Sequence, residues 1–318
     1  MRNDTRLLYG IYTLTPLHVG TGQAIGAVDL PVTREQSTGL PFIPATSIKG
    51  VVRDVLEAHL PGKNDDIKDL LGSDMKDQDD LRAGGLIFTE AQILALPFRS
   101  LNMPFVFVTS YLVLERFDRN LRAFGFADTL TLGSHLKNLD RNKPYVSDKA
   151  KSNELLVIED LIFNKEEVLF HEAVTHIASS LQDLLPEDEQ PTRDRLQTSL
   201  VILPDREYLA LARRCLPVQA RTKLTSGKTA SKYTSPEGKE EKGNLWYEET
   251  VPSDSLFAFF VMNRSGASSK PKAPVDRFNE VITTNKISLS PVQMGGNETV
   301  GHGWCWWQNL LSKGNIKQ

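Results

Sequence analysis

Cysteine is almost missing. The 318-residue chain has two, Cys215 and Cys305, which give no disulfide framework and no zinc-ligand cluster, so both are expected as reduced, partly buried thiols. Long apolar runs are also missing. No stretch approaches the roughly 20 residues that cross a bilayer, and the opening Met1-Arg2-Asn3-Asp4-Thr5-Arg6 is not followed by the apolar segment of a secretory signal. The expected location is the cytoplasm, with no membrane partner. Neither charge sign dominates, since 37 Lys and Arg stand against 40 Asp and Glu for a formal net charge of -3. A surface coated in basic residues is excluded, and any nucleic-acid contact must be confined to a local track. Metal-ligand patterns are equally scarce. His171 and His176 are five apart, which does not put them on one helix face. The acidic run Asp65, Asp66, Asp69, Asp74, Asp77, Asp79 and Asp80 has no histidine partners and no calcium-loop spacing, so it reads as a solvated loop.

What the chain does have is a soluble composition, 40% hydrophobic and 24% charged, enough for a full core in one large domain or two modest ones. Its most informative stretch runs from Pro16 to Asp54. Gly20, Gly22 and Gly26 let a loop approach a bulky ligand closely, and Asp29 follows just before Pro31. Downstream, Thr46 or Ser47 can cap a helix whose positions Ile48, Val51, Val52, Val55 and Leu56 form one apolar stripe. Lys49 and Arg53 share its exposed face. Two cations early in a helix oppose the helix dipole and repel each other, which favours a polyanion at that site.

The remaining chain alternates strands and helices without strict order. Leu7 to Leu14 reads as a central strand, with Gly10 marking close packing or a bulge. Residues 63 to 82 read as a mobile polar insertion, and Thr129 to Asn153 as a second polar stretch without period. Strands are expected over Gly84 to Leu96, Phe105 to Thr109, Leu155 to Phe163, Leu200 to Leu203 and Leu256 to Met262. Helices are expected from Tyr111 to Phe124, from Glu166 to Leu185, after an Asp205 cap, and from Pro274 to Thr284. Residues 217 to 252 read as a long hairpin arm, with strands on either side of a polar tip that carries Lys228, Lys232, Lys239 and Lys242. Such an arm either extends into solvent or lies along an anionic partner. A second glycine-rich stretch, Met294-Gly295-Gly296-Asn297-Glu298-Thr299-Val300-Gly301-His302-Gly303, suggests two loops brought side by side. The class expected is α+β, with a ferredoxin-like β-α-β-β-α-β core and large insertions.

The run Pro16-Leu17-His18-Val19-Gly20-Thr21-Gly22, then Val28-Asp29-Leu30-Pro31 to Arg34-Glu35, Ile43-Pro44 to Arg53, Leu245-Trp246-Tyr247-Glu248-Glu249 and Gly295-Gly296-Asn297-Glu298-Thr299-Val300-Gly301 together resemble the RAMP superfamily. More narrowly they resemble the backbone subunits of type III-B CRISPR effectors. The resemblance implies a single domain over residues 1 to 318, built as an RRM-like palm with a thumb-like β-hairpin. It implies copies of the chain repeating along a guide RNA in a helical filament, beside other subunits. Gly20, Gly22, Ser47, Lys49, Arg53, Gly295, Gly296 and Thr299 would then hold the guide, with Arg221 and Lys223 of the arm, whose ordinary reading is solvation. The arm would turn a nucleotide out of the stack.

By the same resemblance Asp29 cleaves a complementary target RNA with a divalent metal, Mg2+ or Mn2+. The RNA's own 2′-hydroxyl attacks and leaves a cyclic phosphate. His18 is an acid, a base or a phosphate contact, and Tyr247 and Glu248 approach from the arm. Without the resemblance, Asp29 reads as the cap of a turn before Pro31. Two alternatives stand beside this one: an architectural guide-binding subunit whose Asp29 is structural, and a guide-processing nuclease, which sits poorly with the long arm.

Overall fold

The computed structural model describes residues 5–311 except 25, 74–80, 102, 127–129, 131, 148–154, 229, 231–232, 235–236, 239, 242–243, 268–271 and 285–290. The run from Leu7 has apolar residues on both faces and forms strand β1 (Leu7–Thr13), buried at every position. A short strand, β2 (Phe42–Ile43), leads through Pro44 into α1 (Ala45–His59), which α2 (Asn64–Leu71) follows. Then come β3 (Leu86–Phe88), β4 (Ala91–Phe98), β5 (Val106–Ser110), α3 (Tyr111–Ala123), α4 (Leu132–Leu136) and β6 (Tyr145–Val146). A hairpin of β7 (Leu155–Ile158) and β8 (Leu161–Asn164) precedes β9 (Leu169–Phe170), α5 (Glu172–Gln182), α6 (Gln190–Ser199), β10 (Leu200–Leu203) and α7 (Asp205–Arg214). The arm holds β11 (Val218–Lys223), β12 (Tyr233–Thr234), β13 (Glu240–Glu241) and β14 (Asn244–Glu249). The described chain closes with β15 (Leu256–Asn263), α8 (Pro274–Thr284), β16 (Val292–Gln293) and β17 (Trp304–Leu311).

One large mixed sheet runs β16-β17-β1-β15-β4-β5-β10-β6-β9, with β2 on β4 and β3 on β15. Its centre, β17-β1-β15-β4, is antiparallel, and β10 runs parallel to β5. Both faces of the centre are covered. On one, Tyr9 stacks on its cross-strand partner Phe259 at 5.0 Å and meets Trp307 and Phe278 of α8. On the other, Phe260 meets Phe117 of α3, then Phe124 and Phe126. Each such aromatic contributes about 1.5–3 kcal/mol by leaving water. Gly10 belongs to close packing, as the sequence suggests, because a Cβ there would lie 2.1 Å from the Leu184 carbonyl oxygen. Among the described residues no helix is long and apolar enough to cross a membrane.

Several local expectations need correcting. The cap of α1 is Pro44, not Thr46 or Ser47, since the Pro44 carbonyl already accepts from Ser47 and Ile48. The polar stretch after α1 is partly helical, because Ile67, Leu70 and Leu71 recur at helical spacing and bury one face of α2 beneath a charged surface. The second polar stretch likewise contributes α4 and β6, with Leu132, Leu136, Leu139, Tyr145 and Val146 buried. The strand expected over Leu155 to Phe163 is a two-stranded hairpin that turns at Glu159, whose φ is 49°. The helix expected from Glu166 begins at Glu172, where the His171 ring accepts from the Ala173 N–H as its cap. Asp205 does not cap its own helix; its carboxylate accepts from Leu112 N–H in the first turn of α3. Of the acidic run, Asp74, Asp77, Asp79 and Asp80 lie outside the described residues, as do Lys232, Lys239 and Lys242 of the arm.

Candidate functional site

The two glycine turns meet. Glycine-rich segments bend freely but need fixed ends, and here each turn is closed on itself first. Thr33 N–H and hydroxyl both donate to the Val19 carbonyl, which folds the first turn back, and Met294 N–H donates to Gly303 across the second. The turns then join by two backbone hydrogen bonds of 2.9 Å, Gly303 N–H to Pro16 and Gly296 N–H to His18. Gly295 makes this approach possible: its φ is +79°, and a Cβ there would stand 2.4 Å from the His18 carbonyl oxygen. Gly20, Gly22, Gly295, Gly296 and Thr299 remain exposed along the joined turns.

The arm rises from this junction. Strands β11 and β14 pair from Val218↔Glu249 to Lys223↔Asn244, which puts Ala220, Thr222, Leu245 and Tyr247 on one face and Arg221, Trp246 and Glu248 on the other. The first face is open, with Leu245 58% and Tyr247 44% exposed. Lys223 is exposed further out. The segment around Asp29 adds alongside β14: Leu30 N–H donates to the Tyr247 carbonyl at 3.0 Å, and Glu249 N–H donates to the Leu30 carbonyl at 3.0 Å. This places Asp29, half-buried, at the foot of the arm. Its Oδ2 accepts from Tyr247 N–H at 2.7 Å.

Beneath the arm lies a cluster of charges. Glu248, only 2% exposed, meets Arg221 at 3.3 Å and His18 at 3.7 Å, and it accepts from the side-chain amide of Asn297. The Arg221 contact through Nε is an ion pair rather than an aligned hydrogen bond. Arg221 Nη2 lies 3.0 Å from His302 Nε2. Burial, and then the Arg221 charge, hold the His302 imidazole below its ordinary value, so the ring is neutral and accepts from the guanidinium. His18 is equally committed, with Nδ1 2.8 Å from the Glu249 carbonyl and Nε2 pressed against Gly20. Next to it, Glu249 clamps the first turn, taking Arg34 at 2.6 Å and Val32 N–H at 3.1 Å.

Of the residues singled out in the sequence, His18, Gly20, Asp29, Arg221, Tyr247, Glu248, Gly295 and Gly296 therefore come together. Gly22 and Thr299 lie on the same two turns, and Lys223 lies along the arm. Ser47, Lys49 and Arg53 lie on α1, and among the described residues no hydrogen bond or ion pair joins them to this cluster. Arg53 is engaged locally, donating to the Gly72 carbonyl at 2.8 Å and lying 3.8 Å from Glu57. Lys49 is half-buried, and desolvation followed by the Arg53 charge holds its ammonium below the ordinary value. Sequence reasoning passed over Asn297, His302, Arg34 and Glu249. The signal was present for Glu249 and Arg34, a buried-strand carboxylate and a cation beside a glycine turn, but nothing local paired them. Among the described residues no group of three His, Cys, Asp or Glu is placed to hold a metal ion.

The framework is thus a mixed sheet with two apposed glycine turns and a hairpin arm whose root holds Asp29, Glu248 and Glu249. The family model described as the RAMP superfamily matches residues 10–306, and the chain belongs to that superfamily. It is 31% identical over 299 residues to the CRISPR system Cmr endoribonuclease Cmr4 of Pyrococcus furiosus, covering 93% of each chain. It is 28% identical over 314 residues to the CRISPR system CMR subunit Cmr4 of Saccharolobus solfataricus, covering 92% of each. In fold it is similar to oligomeric Cmr4 from P. furiosus, with a TM-score of 0.69 and 23% identity over 96% of this chain and 98% of that one. A chain of the type III-B Cmr-beta complex bound to cognate target RNA gives a TM-score of 0.73 at 23% identity, over 96% of each chain.

Proposed function

We propose that this chain is the guide-RNA-binding backbone subunit of a type III-B CRISPR effector and that it cuts complementary target RNA at regular intervals. The observation that carries the reading is the position of Asp29, held at the foot of the arm beside the joined glycine turns. Its support among relatives is the 31% identity to a Cmr endoribonuclease along nearly the whole chain. The palm is read as ferredoxin-like, because the order β17-β1-β15-β4 with α1 and α8 as the two connecting helices is what a β-α-β-β-α-β unit produces. The subunit works in the cytoplasm, in several copies along the guide and beside other subunits.

The exposed backbone of Gly20, Gly22, Gly295 and Gly296 offers close approach to a sugar-phosphate strand, with Thr299 beside it, and Lys49 at α1 supplies charge. The open face of the arm, Leu245 and Tyr247, presents apolar surface against which a displaced base stacks, while Arg221 fixes the arm's root and Lys223 reaches phosphate. Cleavage is read as attack by the target's 2′-hydroxyl oxygen on the adjacent phosphorus. The new P–O2′ bond forms as the P–O5′ bond breaks, the 2′ proton is lost, and the 5′ oxygen gains one. The products are a cyclic phosphate and a 5′-hydroxyl. A single carboxylate suits Mg2+ or Mn2+, which take most of their ligands from water and phosphate, so Asp29 would hold such an ion and the ion would neutralise charge at the phosphate. Positioning by the arm supplies much of the rate. His18 and Glu248 are read here as the groups that hold the arm and turns in place, since both are already committed to protein partners.

The hydrogen bond from Tyr247 N–H to Asp29 also favours a second reading, an architectural subunit in which this carboxylate only anchors the arm. Two substitutions separate the readings. Asp29→Asn keeps an oxygen for the Tyr247 N–H but loses the charge; Asp29→Ala loses both. In complexes assembled on a guide RNA and given matched target and divalent metal, both variants should retain guide and leave target uncut. Cutting by the Asn variant at the wild-type rate would establish the architectural reading instead.

A further inference from the structure

Away from this site, α3, α4 and the turn after α4 enclose a groove of about 930 Å³. It is lined by five cations, Arg116, Arg119, Arg122, Lys137 and Arg141, against two carboxylates, Glu115 and Asp118. In a chain whose formal charge is -3 this is a local concentration of positive charge. Arg116, Arg119 and Arg122 recur every three residues along α3, which sets them in one row. The two carboxylates are spent, Glu115 on Arg141 and Asp118 on Arg122 and the Gly133 N–H. Arg116 is held by Glu35 in a two-pronged pair of 2.7 Å bonds. Arg119 and Lys137 are exposed and have no ion-pair partner among the described residues. Half-buried Leu112, with Leu136 and Leu139 each 8% exposed, forms the apolar floor between these charges.

We propose that this groove docks an acidic amphipathic helix of another protein. The mixed lining decides the class of partner. A single-stranded nucleic-acid track combines its cations with aromatic platforms for the bases, and no aromatic is among the residues that line this groove, which instead interleaves leucines with paired and unpaired charges, as the surface that receives a helix does. The unpaired Arg119 and Lys137 call for carboxylates on the incoming helix, and the leucines call for an apolar stripe between them. A second copy of this chain does not supply such a helix, because among the described residues no α-helix exposes a large apolar side chain.

The test uses the full chain and a blocked helical peptide carrying leucine at i, i+4 and i+7 flanked by glutamates. Controls are the same peptide with lysine for glutamate, and a single-stranded oligouridylate. The wild-type chain should bind the acidic peptide, more weakly as salt rises, and the double variant Arg119→Glu, Lys137→Glu should bind it at least tenfold more weakly with an unchanged circular dichroism spectrum. The lysine peptide should not bind. Four results would overturn the proposal: equal binding by the double variant; equal binding of the lysine peptide; loss of oligouridylate binding in the variant, which makes the groove an RNA site; and wild-type self-association that the variant abolishes, which makes it a contact between copies. Because none of these readouts involves cleavage, failure here leaves the reading of Asp29 untouched.

Discussion

At the scale of single residues, two cations one turn apart on α1 have different duties. Arg53 satisfies the carbonyl that ends α2, so Arg53→Ala orphans Gly72 and should lower stability by about 1–2 kcal/mol, read as a shifted denaturant midpoint, with little change in how guide binding depends on salt. Lys49 has no such bond and is partly stripped of water, which costs energy unless an anion repays it. Lys49→Ala should therefore flatten the log-log salt slope of guide binding by about one unit, measured by filter binding over a salt series. Equal slopes for wild type and Lys49→Ala would remove α1 from the RNA contact. His302 gives a pH signature. Its folded value is depressed, so the unfolded chain takes up the proton first, and the stability it contributes is present above about 6.5 and lost as pH falls below that. The physical event is loss of the Nε2 lone pair that accepts from Arg221. His135, stacked on His176, is depressed in the same direction, so the test is a difference: His302→Gln, which keeps an acceptor, should unfold with a shallower dependence on acid than wild type.

At the scale of elements, the joined turns and the central strand both depend on a missing side chain. Gly10→Ala drives a methyl into the Leu184 carbonyl from the middle of β1 and should cost about 1–3 kcal/mol or more, seen in the unfolding midpoint. Gly295→Ala adds left-handed strain of about 1–2 kcal/mol and a clash with the His18 carbonyl, on a turn that contributes little to the core. It should weaken guide binding far more than it lowers the melting temperature. Elements with their own periodicity were legible in the sequence. The paired apolar rows of β1, the stripe of α1 and the hairpin arm all stand where expected. Elements whose apolar residues are diluted by charge were not, and α2 shows why: Ile67, Leu70 and Leu71 are outnumbered by Asp and Lys, so composition hid a sound helical face. The starts of α1 and α7 differ for a related reason, since an extended proline ends the preceding strand just before the threonine, serine or aspartate read as the cap, whereas α5 starts later than read because β9 takes up Leu169–Phe170 and His171 caps the helix. In the site, glycines could be read as turns, but pairing Glu248 with Arg221, His18 and Asn297 needs the register of β11 on β14 and the closure of the second turn, both set by long-range contacts.

At the scale of the whole molecule, the arm is anchored at its root. Its root is held by Glu248 and Glu249, by the strip around Leu30 and by Leu17↔Val251, whereas beyond Lys223 the tip pairs only within itself among the described strands. The core lies in the sheet, and large buried side chains such as Tyr9, Phe107, Phe257 and Tyr208 belong to it and its helices. Two functions assigned to the arm can thus be cut apart. Replacing residues 224–243 with a two-residue Asn-Gly turn links the paired residues Lys223 and Asn244 and leaves Arg221, Tyr247, Glu248 and the bond to Asp29 in place. Among the described residues no strand of the large sheet loses a strand partner, so the melting temperature should stay within about 2 °C, a shift that corresponds to about 1.3 kcal/mol for a chain of this size. If the tip displaces a target nucleotide, complexes of this variant should hold guide and bind matched target but cut it at least tenfold more slowly, since orientation of the reacting phosphate is a large part of such a rate. Cutting at the wild-type rate would assign all of the positioning to the root, where Asp29 and Tyr247 meet, and leave the tip to contacts with neighbouring subunits.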